Sequence, residues 1–442
     1  MIMTSSTSTA PERSADTEQG IAWQGVVCAP QVRTQARAQA RTPSRAQTHT
    51  SLRATPLRAT QLLNEVFGGL ESGPHVLPLP ESPADTAWER TITHLSGLPV
   101  DLTAHGWRLT GTRAKAGIAM RRASNGLREL IQLTADDAQD APLGQRSVTV
   151  MGPATVMHRL ALPNGEPIAS DHAARTDIAQ AWCEGITELV PQLASLPGAT
   201  PVVRIIDPDA HHAFAGSWRS SSRYRRLPHL DPQWWESLMA DAAAALTATR
   251  TGVSETKALA HENTVAHENT VTVWLPEVAR GRTQTIAKAV EKNNGGVSVG
   301  FETVSWPEDA HAAENLLETI EALADGEHAG SRVLVPLPES AVNEPLADGK
   351  ARPFTRTAHD CLTRTADELL ESLRQAGMEP RHLLGITLQA SYGFRSAAHA
   401  SAATKPGAAQ GKPAPEFTDL QLGHGLTRLN DLAQKFSDIA HG

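Results

Sequence analysis

Residues 201–216 read PVVRIIDPDAHHAFAG. The stretch opens on a β-branched run, Val202-Val203-Arg204-Ile205-Ile206, and stops at Asp207-Pro208. β-Branched side chains fit a pleated, buried strand. An acid followed by Pro ends such a strand and puts a carboxylate at its C-terminal edge. In α/β folds that edge is where ligands bind. Asp in front of Pro is also ordinary turn chemistry. The stretch alone leaves both readings of Asp207 open, a turn cap and a ligand-facing acid.

Working outward, the chain of 442 residues is long enough for one barrel-sized domain or two ordinary ones. Its formal net charge is −8, which argues against nucleic acid as a partner. Aromatic residues make up 4% of the chain. The mean hydropathy is −0.30, and no apolar run approaches the roughly 18 residues a membrane helix needs. Cys28, Cys183 and Cys361 lie far apart and form no C-x-x-C, so neither a disulfide framework nor a cysteine-rich zinc site is expected. The first residues lack the layout of a signal peptide, and the cytoplasm is the expected compartment.

Residues 1–20 are polar and without periodicity, and disorder is expected there. Two further segments are of low complexity, an Arg- and Ala-rich one at about 31–58 and an Ala- and Pro-rich one at about 397–415. Between them, apolar runs with strand character fall at 21–29, 105–111, 147–152, 201–206, 269–274, 297–304, 332–337 and 383–390. The Pro-rich stretch 72–82 reads as a loop. Helical periodicity falls at 59–67, 84–95, 114–134, 170–196, 232–248, 280–292, 307–324, 358–376 and 417–439. Asp171 or Ser170 would cap the fourth of these and Asp231 the fifth. Eight strands, most followed by a helix, predict an α/β chain forming a single (β/α)8 TIM-type barrel over 21–440, with low-complexity insertions. A doubly wound open sheet is the alternative, but no G-x-G-x-x-G follows the first strand.

Four stretches stand in the order of a known family: GPHVLPLPE (73–81), VTVMGPAT (148–155), IIDPDAHHAFAG (205–216) and LLGITLQASYGF (383–394). They resemble the C-terminal catalytic barrel of cobalamin-independent methionine synthases, closest to the short single-barrel form of actinobacteria. The resemblance covers about residues 58–395. It implies methyl transfer from 5-methyltetrahydrofolate to homocysteine. It also implies a zinc ion that keeps the homocysteine sulfur as a thiolate, the form that acts as nucleophile. It carries His75, Gly152, Thr155 and Asp207 over as substrate-binding positions, Asp207 toward the homocysteine amino group, and puts Glu302 near the family's zinc-ligating Glu. The other implied zinc ligands are a His-x-Cys and a late Cys. Those places read Trp274-Leu275-Pro276 and Tyr392. One carboxylate cannot hold zinc, which takes three or four protein ligands. No cofactor is therefore expected, and the chain reads as a degenerate homologue. Its alternative is a non-catalytic barrel that binds a small amino-acid-like ligand or a protein partner; homocysteine or a folate-like molecule is the candidate ligand.

Other motifs weigh less. AHENTV occurs twice in 260–271, but its histidines are six apart, not the four that H-E-x-x-H requires. His211 and His212 are adjacent, so they point to different sides and do not readily share one ion. RSSSRYRR (219–226) is a basic, hydroxyl-rich run near Asp207, either a solvated loop or a surface whose Arg forks take phosphate or carboxylate. Trp234, Trp235 and Cys183 read as packing residues, and Cys361 has no base near it in sequence.

Overall fold

The computed structural model describes residues 21–24, 76–79, 86–95, 97–110, 118–138, 144–196, 198–249, 271–276, 299–302, 310–324, 332–336, 343–345, 351–353, 356–379 and 386–391. His75, Tyr392, the expected disordered N-terminus, both low-complexity segments, the AHENTV repeats up to residue 270 and the helices expected at 59–67, 280–292 and 417–439 lie outside them.

Eight strands run parallel. They are β1 (Ile21–Gln24), β2 (Val76–Pro78), β5 (Gly144–Met151), β6 (Ala199–Ile206), β7 (Thr272–Leu275), β8 (Val299–Glu302), β9 (Arg332–Pro336) and β12 (Ile386–Ser391). They hydrogen-bond in the order β1-β12-β9-β8-β7-β6-β5-β2, and β2 pairs back onto β1, so the sheet closes. The longest match joins β5 and β6, with eight residues in register from Gly144↔Ala199 to Met151↔Ile206. Parallel strands need crossovers, and helices supply them. These are α1 (Ala87–Thr93), α2 (Ile118–Ala138), α3 (Pro153–Arg159), α4 (His172–Thr187), α5 (Leu189–Ala194), α6 (Ala210–Phe214), α7 (Pro232–Ala248), α8 (Ala310–Ala324) and α9 (Arg356–Gln375). The fold is α/β. No helix among the described residues is long and apolar enough to cross a membrane.

One expected strand has a different place. Residues 105–111 carry strand character, but β4 (Gly106–Leu109) pairs antiparallel with β3 (Val100–Thr103) in a hairpin outside the ring. Gly106 takes the left-handed φ of +109° that the tight turn between them requires. The ring's second strand is instead Val76–Pro78, inside the stretch expected to be a loop. A second small hairpin, β10 (Asn343–Pro345) with β11 (Ala351–Pro353), was also not expected. The expected helix over 170–196 is broken at Glu188, which ends α4 and begins α5.

Alternation along β5 and β6 sorts the core into two layers. Val148, Val150, Val203 and Ile205 pack with Trp182, Ile186 and Val190 of the α4–α5 layer and with Met239 and Ala242 of α7. Val202, on the other face of β6, packs instead with Val76 and Trp274 inside the ring. Caps set the helices that cover the sheet: Asp171 accepts from Ala174 N at 3.0 Å to start α4, and Asp231 accepts from Gln233 N at 3.0 Å to start α7, with Pro232 in its first turn. Trp182 ties α4 to the sheet by donating its indole N–H to the carbonyl of Met151, the last residue of β5, at 2.8 Å.

Candidate functional site

The C-terminal ends of β5 and β6 lie side by side, and the amide of Gly152 donates to the carbonyl of Ile206 at 2.7 Å. Gly152 is the N-cap of α3, with Pro153 in its first turn, so the chain turns from strand to helix within one residue. Asp207, the residue after β6, reaches across to that turn. Its Oδ1 accepts from the amide of Thr155 at 2.7 Å and from the Thr155 hydroxyl at 2.6 Å. Its Oδ2 accepts from the amide of Ala154 at 3.1 Å and from the indole N–H of Trp235 in α7 at 2.8 Å. Asp207 is 7% exposed. Gly152 makes the approach possible, since a Cβ there would stand 2.5 Å from both Cβ and Cγ of Asp207.

These bonds give Asp207 both of the parts that the sequence left open. It sits at the strand's ligand-facing end, and it holds a turn, though the turn belongs to the neighbouring strand. Two donors on each oxygen occupy the carboxylate with protein groups. Burial pushes the Asp207 carboxyl up to about 6, against the opposing pull of its bonds from Thr155, Trp235 and Ala154. A carboxyl raised above its unfolded value binds a proton more tightly in the folded chain. Its contribution to stability is therefore complete below about pH 4 and is lost as the pH rises through about 6. Unfolding by urea should show about 3 kcal/mol more stability from this group at the acid end of that window. The same gain should be missing in Asp207→Asn.

Asp209 behaves in the opposite sense. Its Oδ2 lies 3.2 Å from His158 Nδ1 and accepts from Arg159 Nε at 3.0 Å, both at the end of α3. Burial raises its carboxyl, but the bond from His158 and the charge and bond of Arg159 outweigh that and hold it below the ordinary value. Its contribution is lost only as the pH falls into the acid range, so the interval from about 4 to 6 separates Asp207 from Asp209. The Asp209 amide donates to the Thr155 hydroxyl at 3.2 Å, and Thr155 thereby joins the two acids. His158 stacks on Trp218, with ring centroids 5.2 Å apart and planes 9° apart.

Of the positions expected to bind substrate, Asp207, Gly152 and Thr155 come together. Glu302 is the last residue of β8, paired with Leu334 in the register. His75 lies outside the described residues. Trp274 is 4% exposed and sits in the ring's interior with Val76 and Val202. In the register Trp274 lies between Arg204 and Gly300. His211 and His212 are exposed, but their rings do not point to different sides as expected of adjacent residues: their centroids are 3.8 Å apart, because the short helix α6 lets the two side chains lean together. Among the described residues, no three or more His, Cys, Asp or Glu stand close enough together to hold a metal ion. Trp235, expected as a packing residue, is a donor to Asp207, and no motif in the sequence groups His158, Asp209 and Arg159. The only local signal for the group was the second acid of Asp207-Pro208-Asp209.

No family model matches the chain, and no curated protein matches it. Among solved structures it is similar to a methyltransferase from Methanosarcina mazei, at 15% identity and a TM-score of 0.36, over 86% of each chain. It is also similar to a GH5-4 broad specificity endoglucanase from an uncultured bacterium, at 10% identity and a TM-score of 0.40, over 96% of this chain and 95% of that one. A third likeness is to the native form of CbXyn10B, at 10% identity and a TM-score of 0.30, over 61% and 70% of the two chains. Likenesses at these scores carry no activity over to this chain.

Proposed function

We propose that this chain is a (β/α)8 TIM-type barrel of the cobalamin-independent methionine synthase type that has lost its zinc–thiolate chemistry and works as a non-catalytic barrel. The observation that carries this is Trp274. The resemblance implies a zinc-ligating His at that place, and an indole buried with Val76 and Val202 stands there instead. An indole has a donor N–H and no lone pair for a metal, and Pro276, at the implied Cys, has no side-chain donor atom. Glu302 alone falls short of the three or four ligands zinc takes. The residues present do not fit the metal.

A second reading, a barrel that binds a small amino-acid-like ligand such as homocysteine or a folate-like molecule, is favoured by one observation. Asp207 is a buried carboxyl raised to about 6 at a strand's C-terminal end, the kind of group that marks functional sites. In that reading Gly152 and Thr155, which meet Asp207, belong to the ligand site, and His75 and Glu302 are its further candidate residues. Purified protein incubated with one equivalent of zinc and dialysed is expected to retain none by elemental analysis. Titration with homocysteine in a calorimeter is expected to give no binding heat. Heat without zinc would favour the second reading, and stoichiometric zinc would overturn both.

A further inference from the structure

We infer that the hairpin at residues 218–227 is a docking surface for an acidic segment of a partner protein. Its base is set in the core. Trp218 is 2% exposed, Leu227 is buried too, and the Leu227 amide donates to the Trp218 carbonyl at 3.0 Å. Above that, Arg219 and Arg226 pair antiparallel, the Ser220 amide donates to the Arg225 carbonyl at 2.8 Å, and the Arg223 amide donates to the Ser220 carbonyl at 2.8 Å. Arg223 takes a left-handed φ of +65°, which a residue with a Cβ adopts at a cost of about 1 kcal/mol. Ser221 fastens the hairpin sideways: its amide donates to Glu166 Oε2 at 3.2 Å and its hydroxyl to the Gly165 carbonyl at 2.5 Å. Buried Ser220 has its Oγ 3.0 Å from that of Ser222.

The hydroxyls are thus spent on holding the hairpin. Arg219 Nη1 also donates to the Arg223 carbonyl at 3.4 Å, and the charged and aromatic side chains are otherwise turned to water. Arg219, Arg223, Arg225 and Arg226 are all exposed, and Tyr224 is 95% exposed. No described carboxylate lies within ion-pair distance of any of the four arginines. Four like charges on one short hairpin repel, and that repulsion is relieved when an anion docks. A fixed hairpin also spares the ordering cost that a loose loop pays on binding. Arg and Tyr are the side chains that dominate protein interfaces, and Arg forks pair bidentately with carboxylates. A nucleic acid or an anionic bilayer would extend its charge beyond the hairpin and meet the chain's formal −8. A short acidic segment needs the hairpin alone.

The test is fluorescence anisotropy of a labelled decapeptide of Asp and Glu, titrated with the full chain at low and at physiological salt. Saturable binding is expected, weakened at least tenfold by Arg225→Glu with Arg226→Glu and several-fold by Tyr224→Ala, with each variant's melting temperature unchanged. The inference is overturned by no peptide binding, by binding that ignores the charge reversal, or by tighter binding of a single-stranded RNA decamer or of vesicles containing phosphatidylserine in parallel titrations. If a variant melts early, Tyr224→Ser and Arg219→Glu replace it, and the same tenfold and several-fold losses are required.

Discussion

Asp207→Ala is expected to destabilise the chain by about 4–5 kcal/mol, because it strands four donors at once. The amides of Ala154 and Thr155, the Thr155 hydroxyl and the Trp235 indole N–H all converge on that carboxylate. Each buried donor left without an acceptor costs about 1–3 kcal/mol, and some of that is recovered where water enters the space left behind. Single-donor variants should separate the contributions. Trp235→Phe keeps the ring that meets Phe214 edge-on, with centroids 5.7 Å apart, and removes one bond. It should cost about 1–2 kcal/mol. Urea unfolding followed by circular dichroism gives each value. A loss below about 1 kcal/mol in Asp207→Ala would show that the β5 and β6 ends hold together without it.

Trp182→Ala is expected to cost about 3–5 kcal/mol, as truncations of buried aromatic residues do. The side chain is wholly buried in the layer between helices and sheet. Its indole N–H also anchors α4 to the carbonyl of Met151, one residue before the Gly152 turn. Trp182→Phe keeps most of the packing and gives up the bond, so it should lose about a third as much. Because Met151 adjoins the Asp207 network, the double variant of Trp182→Ala with Asp207→Ala should depart from additivity, as neighbouring sites do.

The strands were legible where packing and local pattern agree. The run 201–206 lies wholly within β6, and 332–337 differs from β9 by one residue. Helix 232–248 was legible to the residue, from Asp231 and Pro232 at its start. Legibility failed where the use of a strand is decided by distant partners. Residues 105–111 alternate as a strand should, but nothing local says that their partner is β3 and not the ring. Val76–Pro78 is flanked by prolines, which withhold amide donors, and local propensity marks it as loop. Its strand character comes from the pairing of Val76 with Ala22 and with Gln145. The candidate site divides in the same way. The sequence placed Asp207 at a strand end, but its partners lie 52 and 28 residues away, and the fold alone brings them to it.

The junction between β5 and β6 has a consequence for hydrogen exchange. The two strands match over eight residues in register, and Asp207 ties the end of one to the turn after the other. Amides inside so long a ladder exchange only when the junction itself opens. Those of β5 and β6 are therefore expected to be among the last of the described amides to exchange their hydrogens with solvent, and the turn that Asp207 holds is expected to stay closed with them.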